Sequence, residues 1–160
     1  MNYSEKLSLA GKTAFVTGAT GGIGASIVEA LCQFGARVIV SDLDQTRINA
    51  LVQSMVDRGH AASGGALDIT DSTAVNKVHD DAIAEFGSIE ILIKCAGIAL
   101  SNIAAEDMSD VRWLKVRDVK LHGAGWVGRG VGNSMLKAGR GAMVIIGSWS
   151  GLSVYKRQGL

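Results

Sequence analysis

The stretch TGATGGIG, residues 17–24, decides the fold of this 160-residue chain. It follows the apolar run TAFV and precedes a helical pattern that runs from Gly24 to Phe34. Glycine weakens both strands and helices, so four glycines between the two need a compensating role. One such role is a tight turn that packs closely. The other is a phosphate bound by backbone N–H groups at the start of the helix.

Short apolar runs alternate with longer amphipathic segments along the rest of the chain. Predicted strands are TAFVT (13–17), RVIVSD (37–42), HAASGGALD (60–68), IEILIK (89–94) and GAMVIIG (141–147). Predicted helices cover 24–34, a segment ending at Gly59, a segment from Asp71 to Gly87, and about 110–137. In the second helix, one face should carry Ile48, Leu51, Val52, Met55 and Val56.

Strictly alternating strands and helices indicate parallel strands joined by right-handed crossovers, with helices on both faces of the sheet. We therefore predict an α/β fold with a doubly wound parallel sheet, Rossmann-like in organisation. Ligands of such sheets bind beyond the carboxyl ends of the strands. The glycine-rich stretch lies at the carboxyl end of the first predicted strand, where a dinucleotide diphosphate would bind.

Composition restricts the partners. Apolar residues make up 48%, charged residues 19%, and the formal net charge is +1, without a run of Lys and Arg that would bind nucleic acid. No stretch reaches the ~18 apolar residues of a membrane helix, and no signal-peptide core is present at the start. We expect one cytoplasmic domain over residues 1–160.

The chain has two cysteines. Cys32 and Cys95 match no metal spacing and should be ordinary buried thiols.

Asp42 ends the second predicted strand, 25 residues after Thr17. A carboxylate at this place can accept hydrogen bonds from the adenosine ribose hydroxyls, and it repels a 2′-phosphate. No Arg or Lys lies inside the glycine loop or directly after Asp42. Loop and acid together favour NAD over NADP, although Asp42 alone could equally be a helix-starting acid beside Asp44.

The spacing T-G-x-x-x-G-I-G, carried by Thr17, Gly18, Gly22, Ile23 and Gly24, resembles that of the short-chain dehydrogenases/reductases. The resemblance covers all 160 residues. The segments GSWSG and GRGAMVIIGS are similar to the fifth strand of NAD-dependent polyol, sugar and gluconate dehydrogenases. The resemblance implies reversible hydride transfer between a secondary alcohol or polyol and NAD, by a protein that forms homo-oligomers.

The resemblance also assigns cofactor-binding residues. They are Gly18, Thr20, Gly21, Gly22, Ile23, Gly24, Asp42, Leu43, Asp68, Ile69, Cys95, Ala96 and Gly97. Asp68 would bind the adenine amino group, and Ala96 and Gly97 would let the cofactor ribose approach the backbone. The family has Asn-Asn-Ala-Gly where this chain has Lys94-Cys95-Ala96-Gly97. Two amides that steady the sheet are therefore replaced.

Two positions match catalytic residues of the family. Ser148 matches the serine whose hydroxyl would hydrogen-bond the substrate oxygen, and Ser150 is the neighbouring alternative. Lys120 occupies the position of the family's asparagine in the long helix. An ammonium donates hydrogen bonds but cannot accept them, so Lys120 is a doubtful replacement in the water relay that the asparagine supports.

The acid/base pair of the family, a tyrosine followed by a lysine, would fall just past Leu160. Tyr155 and Lys156 lie too close to Ser148 to replace it, and adjacent residues do not share a helix face. We therefore expect a domain that is incomplete at its C-terminal end, truncated after the fifth strand, and inactive as given. The fifth strand should form an exposed edge of the sheet.

Two other functions stay open. Lys94, Cys95, Lys120 and the missing tyrosine would also suit a catalytically inactive nucleotide-binding or interaction domain. A methyltransferase of similar topology could carry its own acid after the second strand. The T-G-x-x-x-G-I-G spacing argues against the methyltransferase.

Overall fold

The structure, a computed structural model, describes residues 6–98 and 103–148 of the chain. Within them, five parallel strands form one sheet in the order β3-β2-β1-β4-β5. The strands are β1 Thr13–Thr17, β2 Arg37–Asp42, β3 Ala62–Ala66, β4 Ile91–Lys94 and β5 Ala142–Ile145. The predicted doubly wound parallel sheet is thereby confirmed.

Helices connect the strands as predicted. They are α1 Gly22–Gln33, α2 Gln45–Asp57, α3 Ser72–Phe86, α4 Asp110–Arg117 and α5 Gly123–Ala138. A five-residue π-helical segment, Asp118–His122, joins α4 to α5 without a break, and a single 3₁₀ turn, Ala105–Asp107, precedes α4. The long predicted helix is thus one continuous helix that contains a π-helical segment, called the wide turn below.

The central strand β1 is buried from end to end because helices cover both faces of the sheet. Side chains alternate between the faces. Ala14 and Val16 belong to the cluster under α1 and α2, whereas Phe15 belongs to the cluster under α3 and α5. Burial of the larger of these side chains, Val16 and Phe15, contributes roughly 1.5–3 kcal/mol each. This double burial fixes the carboxyl end of β1, where the glycine loop begins.

The strand order reverses beside β1, and this positions the candidate site. The chain runs outward from β1 to β2 and β3, then returns to place β4 on the other side of β1. The connections after β1 and β4 consequently leave the sheet in opposite directions. A crevice opens between them at the carboxyl ends of the strands, where ligands of such sheets bind.

Two predictions, one about burial and one about a strand end, need correction. Val56 is 46% exposed, because only Ile48 and Met55 of the predicted α2 face are buried and the apolar stripe is narrower than the sequence suggested. The third strand ends at Ala66 rather than near Asp68, because the chain then enters a turn in which Asp68 accepts the Thr70 N–H. The predicted exposed edge is found: every residue of β5 is exposed.

Candidate functional site

A cleft of about 390 Å³ lies at the carboxyl ends of β1, β2 and β4. This volume is within the range of small-molecule sites in proteins. The cleft is lined by Gly18, Gly21, Gly22, Ile23, Gly24, Asp42, Leu43, Arg47, Leu67, Asp68, Ile69, Cys95, Ala96, Gly97, Ile98 and Val119. Twelve of the thirteen predicted cofactor-binding residues are in this set; Thr20 is not, and its role is described below.

Two glycines of the loop are required by packing. Gly18 has a φ of +65°, and a Cβ there would lie 2.5 Å from the backbone of Ala96. A Cβ on Gly24 would lie 2.1 Å from the carbonyl oxygen of Gly18 and 2.8 Å from the Cα of Ala19. Backbone atoms cannot retreat as a flexible side chain can. These two glycines therefore serve the tight strand-to-helix turn.

The other two glycines of the loop have no such packing reason. Both have open space around them: a Cβ on Gly22 would meet nothing within 4 Å, and one on Gly21 would meet only the Gly18 carbonyl oxygen, at 3.5 Å. Gly21 has an ordinary extended conformation. Both line the cleft. Absent side chains at this point let a ligand approach the backbone closely.

The N-terminus of α1 faces the same cleft. Gly21 is its N-cap, no side chain caps it, and no acidic residue lies in its first turn. The first amides of a helix have no partners inside the helix, and they carry the positive end of its dipole. Those of Gly22, Ile23 and Gly24 can therefore donate hydrogen bonds to a diphosphate.

Asp42 is tied to the glycine loop through Thr20. Its Oδ2 atom accepts hydrogen bonds from the Thr20 N–H, at 2.9 Å, and from the Thr20 hydroxyl, at 2.7 Å. Its Oδ1 atom accepts the N–H of Leu43 at 2.8 Å. Partial burial raises the pKa of Asp42, but these hydrogen bonds and the charge of Arg47 together bring the pKa below its ordinary value. The carboxylate is therefore ionised at neutral pH.

Asp68 and Ile69 follow β3 and line the opposite side of the cleft. Asp68 is exposed, and its Oδ1 atom accepts the Thr70 N–H at 2.8 Å and the Thr70 hydroxyl at 2.7 Å. Ile69 is 5% exposed. A Cβ on Gly123 would lie 2.7 Å from the Ile69 side chain, so α5 packs directly against this loop. Ile69 thereby positions the long helix beside the cleft.

Cys95, Ala96 and Gly97 form the wall after β4. The thiol of Cys95 is free and only half-buried, whereas the sequence predicted a buried thiol; Cys32 is buried as predicted. Burial nonetheless raises the pKa of the Cys95 thiol. Gly97 has no close neighbour that would exclude a Cβ. The backbone after β4 is therefore accessible from the cleft.

Lys94 is buried below this wall, at 2% exposure. It alternates with Ile93, so it lies on the sheet face that α5 covers, in register with Thr17 of β1. Burial lowers the pKa of Lys94, and the nearby charge of Lys120 lowers it further. Cys95, and not Lys94, is among the residues that line the cleft.

Lys120 lies in the middle of the π-helical segment and is exposed. Single π turns inside α-helices are frequent at functional sites. The wide turn is therefore present at Lys120, the residue predicted from the sequence to match the family's asparagine. The adjacent Val119 lines the cleft.

Ser148 lies three residues beyond the end of β5 and is exposed. It is on the same side of the sheet as the other strand ends, but it is not among the residues that line the cleft. Ser150, Tyr155 and Lys156 lie outside the described residues.

Four cleft residues were not predicted: Arg47, Leu67, Ile98 and Val119. Arg47 is the most informative, because its guanidinium donates a hydrogen bond to the carbonyl oxygen of Thr20 at 2.5 Å. No cation follows Asp42 directly in the sequence, but α2 brings Arg47 back to the loop. An arginine in the first turn of a helix, where the dipole disfavours a cation, is the signal that could have identified it.

Residues 6–98 and 103–148 contain neither a membrane-spanning helix nor a cluster of metal-binding side chains. No helix found there has the length and apolar character needed to cross a membrane. In the same part of the chain, His, Cys, Asp and Glu side chains do not gather in groups of three or more that could hold a metal ion.

Comparison with known proteins identifies the family of this chain. The family model described as short chain dehydrogenase matches residues 12–159, and the chain belongs to this family. D-threitol dehydrogenase of Mycolicibacterium smegmatis is 40% identical over 155 residues, 92% of this chain and 59% of that protein. Galactitol 2-dehydrogenase of Rhizobium johnstonii is 34% identical over 151 residues, 94% of this chain and 58% of that protein. The chain thus spans about three fifths of these curated relatives.

Solved structures share the fold and differ in cofactor. The crystal structure of gox2181 is similar with a TM-score of 0.95 at 39% identity, covering 99% of this chain and 62% of that one. An NAD⁺-bound xylitol dehydrogenase has a TM-score of 0.86 at 26% identity, covering 89% and 55%. A metagenomic short-chain oxidoreductase in complex with NADP has a TM-score of 0.87 at 29% identity, covering 92% and 66%. Family membership alone therefore does not choose between the two cofactors.

Proposed function

We propose that this chain is the cofactor-binding portion of an NAD-dependent short-chain dehydrogenase that acts on a secondary alcohol or polyol. The observation that carries the proposal is the pair of loop glycines, Gly21 and Gly22, which packing does not require. They border a cleft at an uncapped helix N-terminus. Relatives named galactitol, threitol and xylitol dehydrogenases support the substrate class.

The residues of the cleft fit a dinucleotide. The amides of Gly22, Ile23 and Gly24 would hold the diphosphate, and Asp42 would accept hydrogen bonds from the adenosine ribose. Asp68 and Ile69 would border the adenine, and Ala96 with Gly97 would let the second ribose approach the backbone. The nicotinamide of such a cofactor supplies a hydride acceptor.

NAD rather than NADP follows from the charge of Asp42. Its lowered pKa keeps it ionised at neutral pH, and an anion beside the ribose repels a 2′-phosphate. Tighter binding of NADPH than of NADH by this protein would contradict this part of the proposal.

The catalytic roles are proposals that the family resemblance supports. Ser148 would hydrogen-bond the substrate oxygen. Lys120 can donate a hydrogen bond but cannot accept one, so the water relay of the family would not operate in the same form. The acid/base tyrosine and lysine have no counterpart at the expected spacing within the 160 residues. The chain as given would therefore bind cofactor without turning over substrate.

Calorimetric titration with NADH and NADPH tests cofactor binding directly. We expect NADH to bind, and to bind more tightly than NADPH. Parallel assays with NAD and galactitol, threitol or xylitol should show no NADH formation by the 160-residue chain. Absence of binding to either dinucleotide would contradict the proposal.

The second candidate function is a nucleotide-binding or interaction domain without catalysis. It is favoured by the buried Lys94, which replaces an amide of the family pattern, and by Lys120. Both candidates predict that the 160-residue chain binds NADH without turnover, so they are separated by assaying turnover with the protein as its native source produces it. Formation of NADH from any of the three polyols would exclude the non-catalytic candidate.

A further inference from the structure

Lys94 is a buried cation at the end of β4, directly before the wall of the cleft. It is 2% exposed, and its register neighbours on the two adjacent strands are Thr17 and Ile145, neither of which carries a charge. A lysine is almost never fully buried in a protein unless its charged head is paired. The position of Lys94 therefore calls for a partner.

The part of the chain that the structure describes offers no such partner. Lys94 forms no ion pair there, and its side chain donates no hydrogen bond. Burial, and after it the charge of Lys120, lowers the pKa of Lys94, and no carboxylate of a described residue counteracts them. Two cations without a counterion exert a stronger field in a partly buried place than they would in water.

This pair of cations lies beside the cleft. Lys94 directly precedes Cys95, and Lys120 directly follows Val119. Both Cys95 and Val119 line the cleft. The pair is thus at the end of the cleft that β4 forms, whereas β2 and β3 form the other end, on the opposite side of β1.

The two ends of the cleft would receive different halves of a dinucleotide. In the proposed binding mode the adenosine lies beside Asp42 and Asp68, which follow β2 and β3, and the diphosphate lies at the N-terminus of α1. The nicotinamide half would then extend toward β4. The nicotinamide ring of NAD⁺ carries a positive charge, and that of NADH carries none. A cation beside this half of the cofactor repels the ring of NAD⁺ but not that of NADH.

We infer that Lys94, assisted by Lys120, makes this site bind NADH more tightly than NAD⁺ and thereby favours oxidation of the alcohol over reduction of the carbonyl compound. In that oxidation the alcohol carbon gives a hydride to NAD⁺ and the hydroxyl group releases a proton, which yields the carbonyl compound and NADH. Preferential binding of NADH shifts this equilibrium toward oxidation on the protein. The inference rests on the proposed function, because it assumes that the nicotinamide half lies at the β4 end of the cleft.

Calorimetric titration with NADH, NAD⁺ and ADP-ribose tests the role of Lys94. Lys94→Met removes the charge and keeps an unbranched side chain. The ratio of the NAD⁺ dissociation constant to that of NADH should fall at least about fivefold in this variant, because the repulsion of the charged ring is lost. ADP-ribose has the diphosphate but no nicotinamide ring, so a loss of affinity that it shares with NADH reports the diphosphate alone.

Lys120→Met should lower the same ratio by about twofold, because the charge of an exposed side chain is screened by solvent and salt. Lys137→Met is the matched control. Lys137 is exposed in the last turn of α5, which leads to the amino end of β5, and it does not line the cleft. Its replacement should leave the ratio unchanged. Urea denaturation checks that each variant is folded, and Lys120→Met decides the test if Lys94→Met is not.

Two results would overturn the inference and leave the proposed function standing. One is an unmodified protein that binds NAD⁺ as tightly as NADH. The other is an unchanged ratio in the folded variants of Lys94 and Lys120, which would show that the cations do not act on the nicotinamide half. Absence of binding to NADH and NAD⁺ by the unmodified protein would overturn the inference and the proposed function together.

Discussion

Three helices of the sheet begin beside strand ends, and they begin in two different ways. Asp44 and Asp71 are the N-caps of helices α2 and α3, and each carboxylate accepts hydrogen bonds from two amides of the first turn. Helix α1 starts at Gly21, without a side-chain cap. The capped helices satisfy their own N-termini. The uncapped one presents its amides to the cleft, so local stability is given up where a ligand would bind.

The loss of a cap at α1 is offset by contacts behind the loop. Gly18 and Gly24 pack tightly against neighbouring backbone, and Thr20 is held by Asp42 and Arg47. The loop is therefore fixed before any ligand binds. Residues that stabilise the fold should therefore differ from residues that serve the cleft in their effect on the free energy of unfolding.

Substitution of Gly24 should have the largest effect. In Gly24→Ala the new Cβ would meet the Gly18 carbonyl oxygen and the Ala19 backbone, neither of which can move without disturbing β1. We expect the free energy of unfolding to fall by roughly 3 kcal/mol, as in other overpacked cores. Urea denaturation measures this loss. A variant as stable as the original would show that the turn is looser than described.

Glu90 provides a carboxylate at the opposite end of the sheet, away from the cleft. It is 7% exposed and accepts hydrogen bonds from the Thr13 N–H at 2.9 Å, from the Ser88 hydroxyl, and from Arg140 at 3.2 Å. Glu90→Gln should cost about 2 kcal/mol at pH 7, because it removes the charged acceptor. Cofactor binding should be unchanged.

The effect of Glu90 should depend on pH. Burial raises its pKa, but the hydrogen bonds and the charge of Arg140 together bring the pKa below its ordinary value. The stabilisation is therefore complete above the unfolded pKa of about 4.3 and is lost as the pH falls through the lower folded pKa. The difference in free energy of unfolding between the original protein and Glu90→Gln should shrink on acidification.

The exposed ion pair between Lys77 and Asp81 should contribute little by comparison. Asp81→Asn should change the free energy of unfolding by less than about 0.5 kcal/mol.

Asp71 should have a smaller effect, confined to stability. Asp71→Ala removes the acceptor of the Thr73 and Ala74 amides and should cost about 1 kcal/mol. Asp71→Asn, which keeps an oxygen at the same place, should recover most of this. Affinity for NADH should stay the same in both, because Asp71 does not line the cleft. A large loss of NADH affinity in either variant would contradict the claim that a capped helix N-terminus serves stability and not the cleft.

The fold was largely predictable because its strands are short, apolar and separated by clear helical periods. The cleft was predictable to the same degree, since the carboxyl ends of parallel strands meet at one edge. Strand alternation also determines that Lys94 shares a face with Leu92, although the sequence analysis did not use it. Burial of single residues was less predictable. Val56 and Cys95 are apolar side chains at positions where the sequence predicts burial, but Val56 is exposed and Cys95 is only half-buried.

The network around Thr20 could not be predicted in the same way. The sequence places Asp42 at a strand end, but its bonds to Thr20 depend on the conformation of the glycine loop. Arg47 was missed because only residues adjacent to Asp42 were considered, whereas a helix returns a side chain from five residues further on. Contacts between separate loops are set by tertiary geometry and not by local pattern.

The most direct test of the central claim is Gly22→Ala, measured by NADH calorimetry and urea denaturation side by side. A Cβ at this position meets no protein atom within 4 Å, so the free energy of unfolding should change by less than about 0.5 kcal/mol. The affinity for NADH should fall by at least about tenfold, because the methyl group would occupy space that the diphosphate needs. Unchanged affinity in a stable variant would contradict the claim that this glycine serves a ligand.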